Sequence, residues 1–465
     1  MVETLLSLTD RAQRLKSQGR LQEAIAVHEM AVRAYPNNGI AAHNLAATLG
    51  DAGRHGESVV QARRAVSLGA RTVETHLVLA RALVNTGELD EALKAFDAAC
   101  AAGPLNVQAQ FERCQLIWMM TGDAGAALAA VDADIRRQGG AGPLHFVRAR
   151  VLQYTGDMEG ACREIDALVR REPHNLVLLC QSAHLLCQGG HVQRAHELAG
   201  QALAMAPEHF FALEAWANTC LARGDAAAAS DSAQRLLRLA PDNQQAINFQ
   251  AMVWRMTGDP RFEELYDYDA FVVPQYISPP DGWTSRQAYL HDLAGELKAA
   301  HPYRSHPFAQ SVQHGSQRPD ILSVQTPAIQ AFRSALTPLV NAHIEALGEG
   351  SDPLRRRRSR GWTIQGIWSV WLQPGGFHID HVHPDGWLSS AFYVELPSAI
   401  DSGSREGWIR FGESGIRVDP HQPAQHWVRP EPGMLVLFPS YMWHGTIPFS
   451  GDEPRLTIAM DIVPA

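Results

Sequence analysis

Four side chains that can bind a metal stand close together in the stretch GGFHIDHVHPDGW: His378, Asp380, His381 and His383. A further histidine, His444, follows much later in FPSYMWHGT. Two ligands at i and i+2 on one strand and a histidine on a neighbouring strand can occupy three corners around a metal. The other corners stay open for substrate and oxygen, which is the facial arrangement of non-haem iron. The pattern therefore predicts a metal site.

Two pairs within this stretch compete for the first two ligand positions. Successive side chains of a strand point to opposite faces, so His378 and Asp380 share one face while His381 and His383 share the other. With His444, the first pair gives a two-histidine, one-carboxylate site and the second pair gives a three-histidine site. A regular strand forbids all four from binding one ion, and the residues themselves leave the choice open.

A cation suited to a carboxylate lies eleven residues after His444. Arg455 carries a planar guanidinium that binds a carboxylate through two N–H groups. In RLTIAMDIV, Arg455 and Thr457 alternate with apolar residues, which predicts a strand with one apolar face and one polar face. Arg455 and Thr457 are therefore candidates for binding the distal carboxylate of a dicarboxylate cosubstrate.

The elements that must position these residues are predicted to be short strands. After Gly361, apolar segments are separated by Gly, Pro and Asp, and they read WTIQGIWSVWLQ, GFHIDHVH, WLSSAFYVEL, GWIRFG, QHWVR, MLVLF, MWHGTI and RLTIAMDIV. Strands at this spacing indicate a β-sandwich, a barrel or a jelly roll, which brings distant strands side by side. Two helices are expected before them, over residues 285–300 and 327–347.

A periodic pattern fills the first part of the chain. Glycines recur every 34 residues, with one step of 35, at Gly19, Gly53, Gly87, Gly122, Gly156, Gly190, Gly224 and Gly258. Five residues after the first seven of them come Ala24, Ser58, Ala92, Ala127, Ala161, Ala195 and Ala229. A glycine turn between two helices and a small residue where helices pack closely explain the period. Over about residues 5–258 the pattern resembles the tetratricopeptide repeat family, whose units stack into a superhelix that commonly binds a peptide or partner chain.

The C-terminal segments resemble a second family. HVHP (381–384), SSAFY (389–393), PGMLVLFPSYMWHG and EPRLTIAMD follow the order found in Fe(II)- and 2-oxoglutarate-dependent oxygenases, in the branch with an H-x-H-P strand. The resemblance covers roughly residues 360–463. Ser390 stands where that branch usually has glycine, a departure that concerns strand packing. The aspartyl/asparaginyl β-hydroxylases, which also join helical repeats to an oxygenase domain, are similar more loosely.

This second resemblance implies a site and a reaction. It implies Fe(II) bound by His381, His383 and His444, with Asp380 as the competitor for the position that His383 takes. It also implies 2-oxoglutarate as cosubstrate, held by Arg455 and Thr457 with Tyr393. Oxidative decarboxylation of 2-oxoglutarate to succinate would then drive hydroxylation of a C–H bond, and demethylation or desaturation would use the same ligands.

The two resemblances predict a multidomain protein with an α part and a β part. We expect an N-terminal α-solenoid of tetratricopeptide-like repeats over 1–260 and a connector over 261–284. A double-stranded β-helix, or jelly roll, with flanking helices follows over 285–465. The expected function is hydroxylation of a peptide or protein that the repeats select. Two other functions stay open: a non-catalytic repeat scaffold with a metal-binding jelly roll, and a cupin-like three-histidine metalloenzyme that does not use 2-oxoglutarate.

Charge and cysteine content narrow the partners and the compartment. The net charge is -9, which disfavours a nucleic-acid partner. The segment MVETLLSLTDRAQRL lacks the basic and apolar regions of a signal peptide, and no run of about 18 apolar residues follows, so we expect a cytoplasmic protein without a membrane partner. All six cysteines precede residue 260 without C-x-x-C spacing, and we expect them to be small buried hydrophobes.

Overall fold

The structure is a computed structural model that describes residues 3–465. It divides into two compact units that meet in sequence at Gly156 and Asp157. The first unit is helical and contains α1 (Leu5–Ser17), α2 (Leu21–Ala34), α3 (Gly39–Asp51), α4 (His55–Ser67), α5 (Val73–Thr86), α6 (Leu89–Ala102), α7 (Val107–Thr121), α8 (Ala124–Arg137) and α9 (Gly142–Tyr154).

The second unit begins with helices of the same length and spacing. They are α10 (Met158–Arg171), α11 (Leu176–Gln188), α12 (Val192–Met205), α13 (Phe210–Ala222), α14 (Ala226–Leu239) and α15 (Gln244–Thr257). Four further helices follow: α16 (Arg261–Leu265), α17 (Tyr268–Phe271), α18 (Arg286–Ala299) and α19 (Pro327–Ala346). Among the described residues, no helix has the length and apolar character needed to cross a membrane.

The repeat period has the physical basis that the sequence predicts. Every periodic glycine adopts a positive φ, between 67° and 100°, which ends one helix and turns the chain into the next. The seven small residues are fully buried, each 0% exposed. The six cysteines are free and buried, which confirms the role expected for them. The tetratricopeptide-like solenoid is therefore confirmed.

The rest of the second unit is mainly antiparallel sheet, consistent with the expected jelly roll. Its strands are β1 (Val273–Tyr276), β2 (Val312–Pro319), β3 (Trp362–His378), β4 (Leu388–Glu395), β5 (Ile409–Phe411), β6 (His426–Val428), β7 (Met434–Pro439), β8 (His444–Thr446) and β9 (Arg455–Pro464). Six strands form one sheet in the order β1-β7-β4-β9-β3-β2, and three form another in the order β6-β5-β8.

Two details differ from the strands expected after Gly361, and the region before them contains more regular structure than the sequence indicated. WTIQGIWSVWLQ and the start of GFHIDHVH form one long strand, β3, which ends at His378. The residues after it leave the strand, and His381 makes only an isolated bridge. Residues 261–284, expected as a connector, carry α16, α17 and β1, and β1 pairs with β7 at the edge of the larger sheet.

Helix α15 of the second unit contacts two loops of the β region. The backbone N–H of Gln244 donates to the Pro384 carbonyl at 2.8 Å. The side-chain amide of Asn248 donates to the Tyr441 carbonyl at 2.9 Å. The Tyr266 hydroxyl, just after α16, donates to the same carbonyl at 3.0 Å. The end of the repeat array is thus part of the support of the β region.

Candidate metal centre

Two of the candidate histidines meet across the break after β3. The His381 N–H donates to the His444 carbonyl at 2.9 Å, and the His444 N–H donates to the His381 carbonyl at 3.1 Å. Directly opposed residues of an antiparallel pair project their side chains to the same side. Their ring centroids accordingly lie 4.2 Å apart.

The third histidine reaches the same point from the next turn of chain. The His383 N–H donates to the Ser440 carbonyl at 3.0 Å, which fixes its backbone beside the loop leading to β8. Its Nε2 lies 3.2 Å from Nε2 of His381. One nitrogen from each of His381, His383 and His444 lies within 4.8 Å of the other two, a spacing at which three ligands can hold one metal ion.

The other ring nitrogens are all engaged, which leaves Nε2 of each ring for the ion. Nδ1 of His381 donates to the Ile379 carbonyl at 2.8 Å, and Nδ1 of His444 donates to the Met442 carbonyl at 2.9 Å. Nδ1 of His383 lies 2.7 Å from the Asp461 carboxylate. Because these oxygens accept, Nδ1 carries the proton and Nε2 has its lone pair free.

Burial keeps two of these rings in the neutral form that binds metals. Burial, with a smaller effect of neighbouring His383, lowers the pKa of His381 to about 3. Burial also holds the pKa of His444 well below its usual value, and His381 adds to that effect. A neutral imidazole needs to lose no proton before it ligates, so these rings are ready to bind near pH 7.

Asp380, the rival carboxylate, points to a different partner. Its side chain forms a two-point contact with the Arg410 guanidinium, through Nε at 3.1 Å and through a shorter bond from Nη2. Glu413 binds the same guanidinium at 3.1 Å. Asp380 is buried and lies outside the set of three converging histidines.

His378 does not lie on the far side of the strand, as regular alternation would require. Its ring centroid is 6.2 Å from that of His381 with nearly parallel planes, and its Nδ1 lies 3.0 Å from the Ser311 hydroxyl. The expected alternation over residues 378–383 is wrong because β3 ends at His378. His378 is therefore a neighbour of the histidine cluster without being one of its three members.

Arg455 and Tyr393 lie together in the interior of the β region. Arg455 is 2% exposed, and its Cζ lies 5.3 Å from the centre of the Tyr393 ring. Within the described part of the chain, Arg455 Nε and Nη1 and the Tyr393 hydroxyl have no hydrogen-bond partner. Burial lowers the pKa of Arg455, although a guanidinium remains charged at neutral pH. A buried cation with free N–H groups is costly unless an anion binds it.

Thr457 belongs to the same part of the sheet. It is buried and lies directly across from Tyr393 on β4 and from Val370 on β3.

Ser390, the departure from the family pattern, fits between β4 and β9. Its hydroxyl accepts from the Met460 N–H at 3.1 Å and donates to the Met460 carbonyl at 3.2 Å. The serine thus replaces ladder hydrogen bonds instead of breaking the sheet.

Sequence reasoning missed Asp461 and the aromatic wall of the cluster. Asp461 lies on β9 six residues after Arg455, so the same alternation that pairs Arg455 with Thr457 extends to it. The Trp368 ring stacks on His383 with centroids 5.8 Å apart. The alternation could have identified Asp461, but no sequence signal singles out Trp368.

Two family models match segments of this chain. A family model described as "Putative 2OG-Fe(II) oxygenase" matches residues 366–461. A tetratricopeptide repeat model matches residues 73–116. The two resemblances read from the sequence are thereby confirmed.

Among solved structures, similar chains include a tetratricopeptide repeat protein from Parabacteroides merdae, with 15% identity, a TM-score of 0.38, and coverage of 54% of this chain and 98% of that one. Yeast Tom70 is similar with 15% identity, a TM-score of 0.42 and 55% of each chain covered. MamA matches with 20% identity and a TM-score of 0.30, over 37% of this chain and 94% of its own. None of the curated proteins compared matches this chain.

Proposed function

We propose that this protein is an Fe(II)- and 2-oxoglutarate-dependent oxygenase that hydroxylates a peptide or protein. One observation carries the proposal: three histidine nitrogens converge within 4.8 Å in a domain that also buries Arg455, whose Nε and Nη1 have no partner among the described residues. A metal-binding module alone would have no need for the buried cation. The same domain matches the oxygenase family over residues 366–461.

The residues fit the metal and the cosubstrate that this family implies. His381, His383 and His444 would hold Fe(II) through Nε2, since their Nδ1 atoms are engaged. Bound Fe(II) would supply the electrons that activate oxygen. Imidazole is a good ligand for iron, and three ligands leave positions for cosubstrate and oxygen.

Arg455 would bind the distal carboxylate of 2-oxoglutarate. Its Nε and Nη1 are buried and have no partner among the described residues, so their N–H groups are available to donate charge-assisted hydrogen bonds to an anion. The Tyr393 and Thr457 hydroxyls would add neutral hydrogen bonds to the same group. Trp368, stacked on His383, would help to keep water from the reacting atoms.

The overall reaction would be substrate C–H plus 2-oxoglutarate plus O2, giving substrate C–OH, succinate and CO2. 2-Oxoglutarate loses its carboxyl group as CO2, one oxygen atom enters succinate, and the other enters the substrate. The chain's own task is placement, because hydrogen removal needs the substrate held close to the oxidant.

The repeats would select the substrate, since tetratricopeptide repeats generally mediate protein–protein interaction. Net charge supports a protein partner over nucleic acid. We also propose that the repeat region spans 1–260, with a connector over 261–284 and the oxygenase domain over 285–465, and that the protein works in the cytoplasm without a membrane partner.

Succinate formation by the purified, Fe(II)-loaded protein tests the proposal. We expect slow succinate release from 2-oxoglutarate and O2 without added substrate, and none when Zn(II) replaces Fe(II). Oxygen consumption without succinate would instead indicate a three-histidine enzyme that does not use 2-oxoglutarate. Metal binding without any turnover would indicate a non-catalytic scaffold.

A further inference from the structure

The carboxylate of Asp461 lies between a candidate ligand and Ser389. Its Oδ2 lies 2.7 Å from Nδ1 of His383, and its Oδ1 accepts from the Ser389 hydroxyl at 2.8 Å. The Ser389 hydroxyl lies 2.9 Å from that of Ser440. Ser389 and Asp461 are directly opposed on β4 and β9, so the sheet itself sets this contact.

No lysine or arginine among the described residues neutralises this carboxylate. Its one ion-pair partner is His383, and both side chains are 16% exposed. Asp380, in contrast, shares Arg410 with Glu413 and has its charge compensated there. Asp461 is therefore the carboxylate next to the histidine cluster whose charge is directed at a candidate ligand.

We propose that Asp461, acting through His383, supplies the negative charge that a three-histidine iron site lacks. The proposal rests on the proposed function and makes Asp461 a positioning residue. Three neutral imidazoles leave a bound divalent ion with its full charge, whereas two histidines and a carboxylate reduce it by one. A carboxylate that accepts from the remote N–H of a ligating imidazole makes that imidazole a stronger donor and fixes its ring. The negative charge that a carboxylate ligand would provide is thus provided by Asp461, which contacts the ligand His383 and not the ion itself.

Asparagine and alanine separate charge from geometry at this position. Asp461→Asn keeps an oxygen that can accept from Nδ1 of His383 but removes the charge. Asp461→Ala removes both. If Asp461 only oriented the ring, the asparagine variant would bind metal like the wild type and only the alanine variant would lose affinity.

The test is Co(II) binding by the full-length protein, followed by its visible absorption, with the Fe(III)/Fe(II) midpoint potential as a second readout. We expect Asp461→Asn to weaken Co(II) binding about 10- to 100-fold and to raise the potential, since less negative charge favours Fe(II). Asp461→Ala should lose at least as much affinity. Asp385→Asn, the same substitution at an exposed aspartate two residues from His383, is the matched control and should change neither quantity.

Wild-type affinity and potential in Asp461→Asn would overturn the proposal, whether or not the wild type forms succinate. Absence of succinate with the expected Co(II) losses would overturn the oxygenase assignment and leave the role of Asp461 intact. A wild-type protein that binds no Co(II) would overturn both. Thermal unfolding of each metal-free variant shows that it is folded, and Ser389→Ala, which frees Oδ1 alone, should weaken Co(II) binding by a smaller factor than Asp461→Ala.

Discussion

At the scale of single residues, the three candidate ligands differ in the hydrogen-bond partner of Nδ1, the ring nitrogen that faces away from the cluster. His381 and His444 donate to backbone carbonyls two residues before them, at 2.8 and 2.9 Å. His383 instead faces a carboxylate at 2.7 Å. Backbone carbonyls hold a ring without adding charge, so only His383 links the cluster to a charged group. The carbonyls therefore only orient His381 and His444, whereas the carboxylate also makes His383 a stronger electron donor to a bound metal.

The identity of the third ligand is tested by Asp380→Asn and His383→Ala. Because Asp380 pairs with Arg410, we expect Asp380→Asn to bind Co(II) nearly as well as wild type while lowering the melting temperature. Removing the Asp380 charge weakens its largely buried contact with Arg410, which then has Glu413 as its remaining ionic partner. His383→Ala, His381→Ala and His444→Ala should each lose Co(II) binding. Loss of binding in Asp380→Asn with retention in His383→Ala would move the metal to His378, Asp380 and His444.

Arg455→Ala is expected to separate cosubstrate binding from metal binding. Hydrogen bonds to charged groups contribute about 1.5–3 kcal/mol, so the KM for 2-oxoglutarate should rise about 10- to 100-fold while Co(II) affinity stays near that of wild type. 2-Oxoglutarate should also stop raising the melting temperature of the metal-loaded protein. Arg455→Lys keeps the positive charge but not the planar guanidinium, so its KM for 2-oxoglutarate should lie between those of the wild type and Arg455→Ala. Equal losses of Co(II) and 2-oxoglutarate binding would make the arginine structural.

At the scale of elements, the helices could be read from the sequence and the path of the ligand segment could not. The glycine period fixes each turn, and the predicted helices over 285–300 and 327–347 correspond to α18 and α19 within one residue at each end. The segment HIDHVH alternates like a strand, yet its course depends on contacts far along the chain. Strand β2 carries a positive-φ residue, His314, and was not predicted because its sequence, VQHGSQRP, lacks apolar alternation.

Two distant glycines allow the chain to leave the strand after His378. A Cβ on Gly445 would lie 2.6 Å from Oδ1 of Asp380 and 2.9 Å from the His378 carbonyl. A Cβ on Gly415 would lie 1.7 Å from the Asp380 carbonyl. The segment therefore passes where only glycine leaves room, a constraint that alternation within HIDHVH does not contain.

Gly445→Ala should disturb the candidate site, because the added Cβ would push against the side chain of Asp380 and the backbone of His378. Contacts this short force the chain around Asp380 to shift, and Gly445 directly follows His444. We expect a melting temperature lowered by several degrees and a clear loss of Co(II) affinity, by the overpacking cost of about 1–3 kcal/mol. Gly295→Ala in α18 is the matched control, since nothing lies within 4 Å of its added Cβ and alanine favours a helix. Unchanged Co(II) binding in Gly445→Ala would show that the chain around Asp380 can shift without disturbing the metal ligands.

At the scale of the whole molecule, the last repeat helix, α15, is hydrogen-bonded directly to the two loops that carry the candidate ligands. Gln244 on α15 holds the carbonyl of Pro384, which directly follows His383. Asn248 on the same helix holds the carbonyl of Tyr441, three residues before His444. Both ligand-bearing loops are thus fixed from one repeat helix. The sequence predicts the repeats and the jelly roll separately, but it could not show this attachment, because the contacts join residues more than a hundred positions apart.

Two truncations test this attachment. Removing residues 1–258 deletes α15 and exposes apolar core that contacts the β region, so we expect a poorly folded product that neither binds Co(II) nor forms succinate. Removing residues 1–156 follows the division between the two compact units, and we expect it to keep Co(II) binding and substrate-independent succinate formation.

The point variant Asn248→Ala in the full chain avoids gross truncation and isolates the contact itself. It removes one hydrogen bond to the Tyr441 carbonyl, which keeps the Tyr266 hydroxyl as a donor, so the cost is that of a net hydrogen bond, about 0.5–1.5 kcal/mol. We expect a lower melting temperature and weaker Co(II) binding, read against Asn44→Ala, an asparagine in the first unit that should leave Co(II) affinity unchanged. Full Co(II) affinity and full succinate formation in the protein lacking residues 1–258 would show that the oxygenase domain holds its ligands without the repeats, and would restrict the repeats to substrate selection.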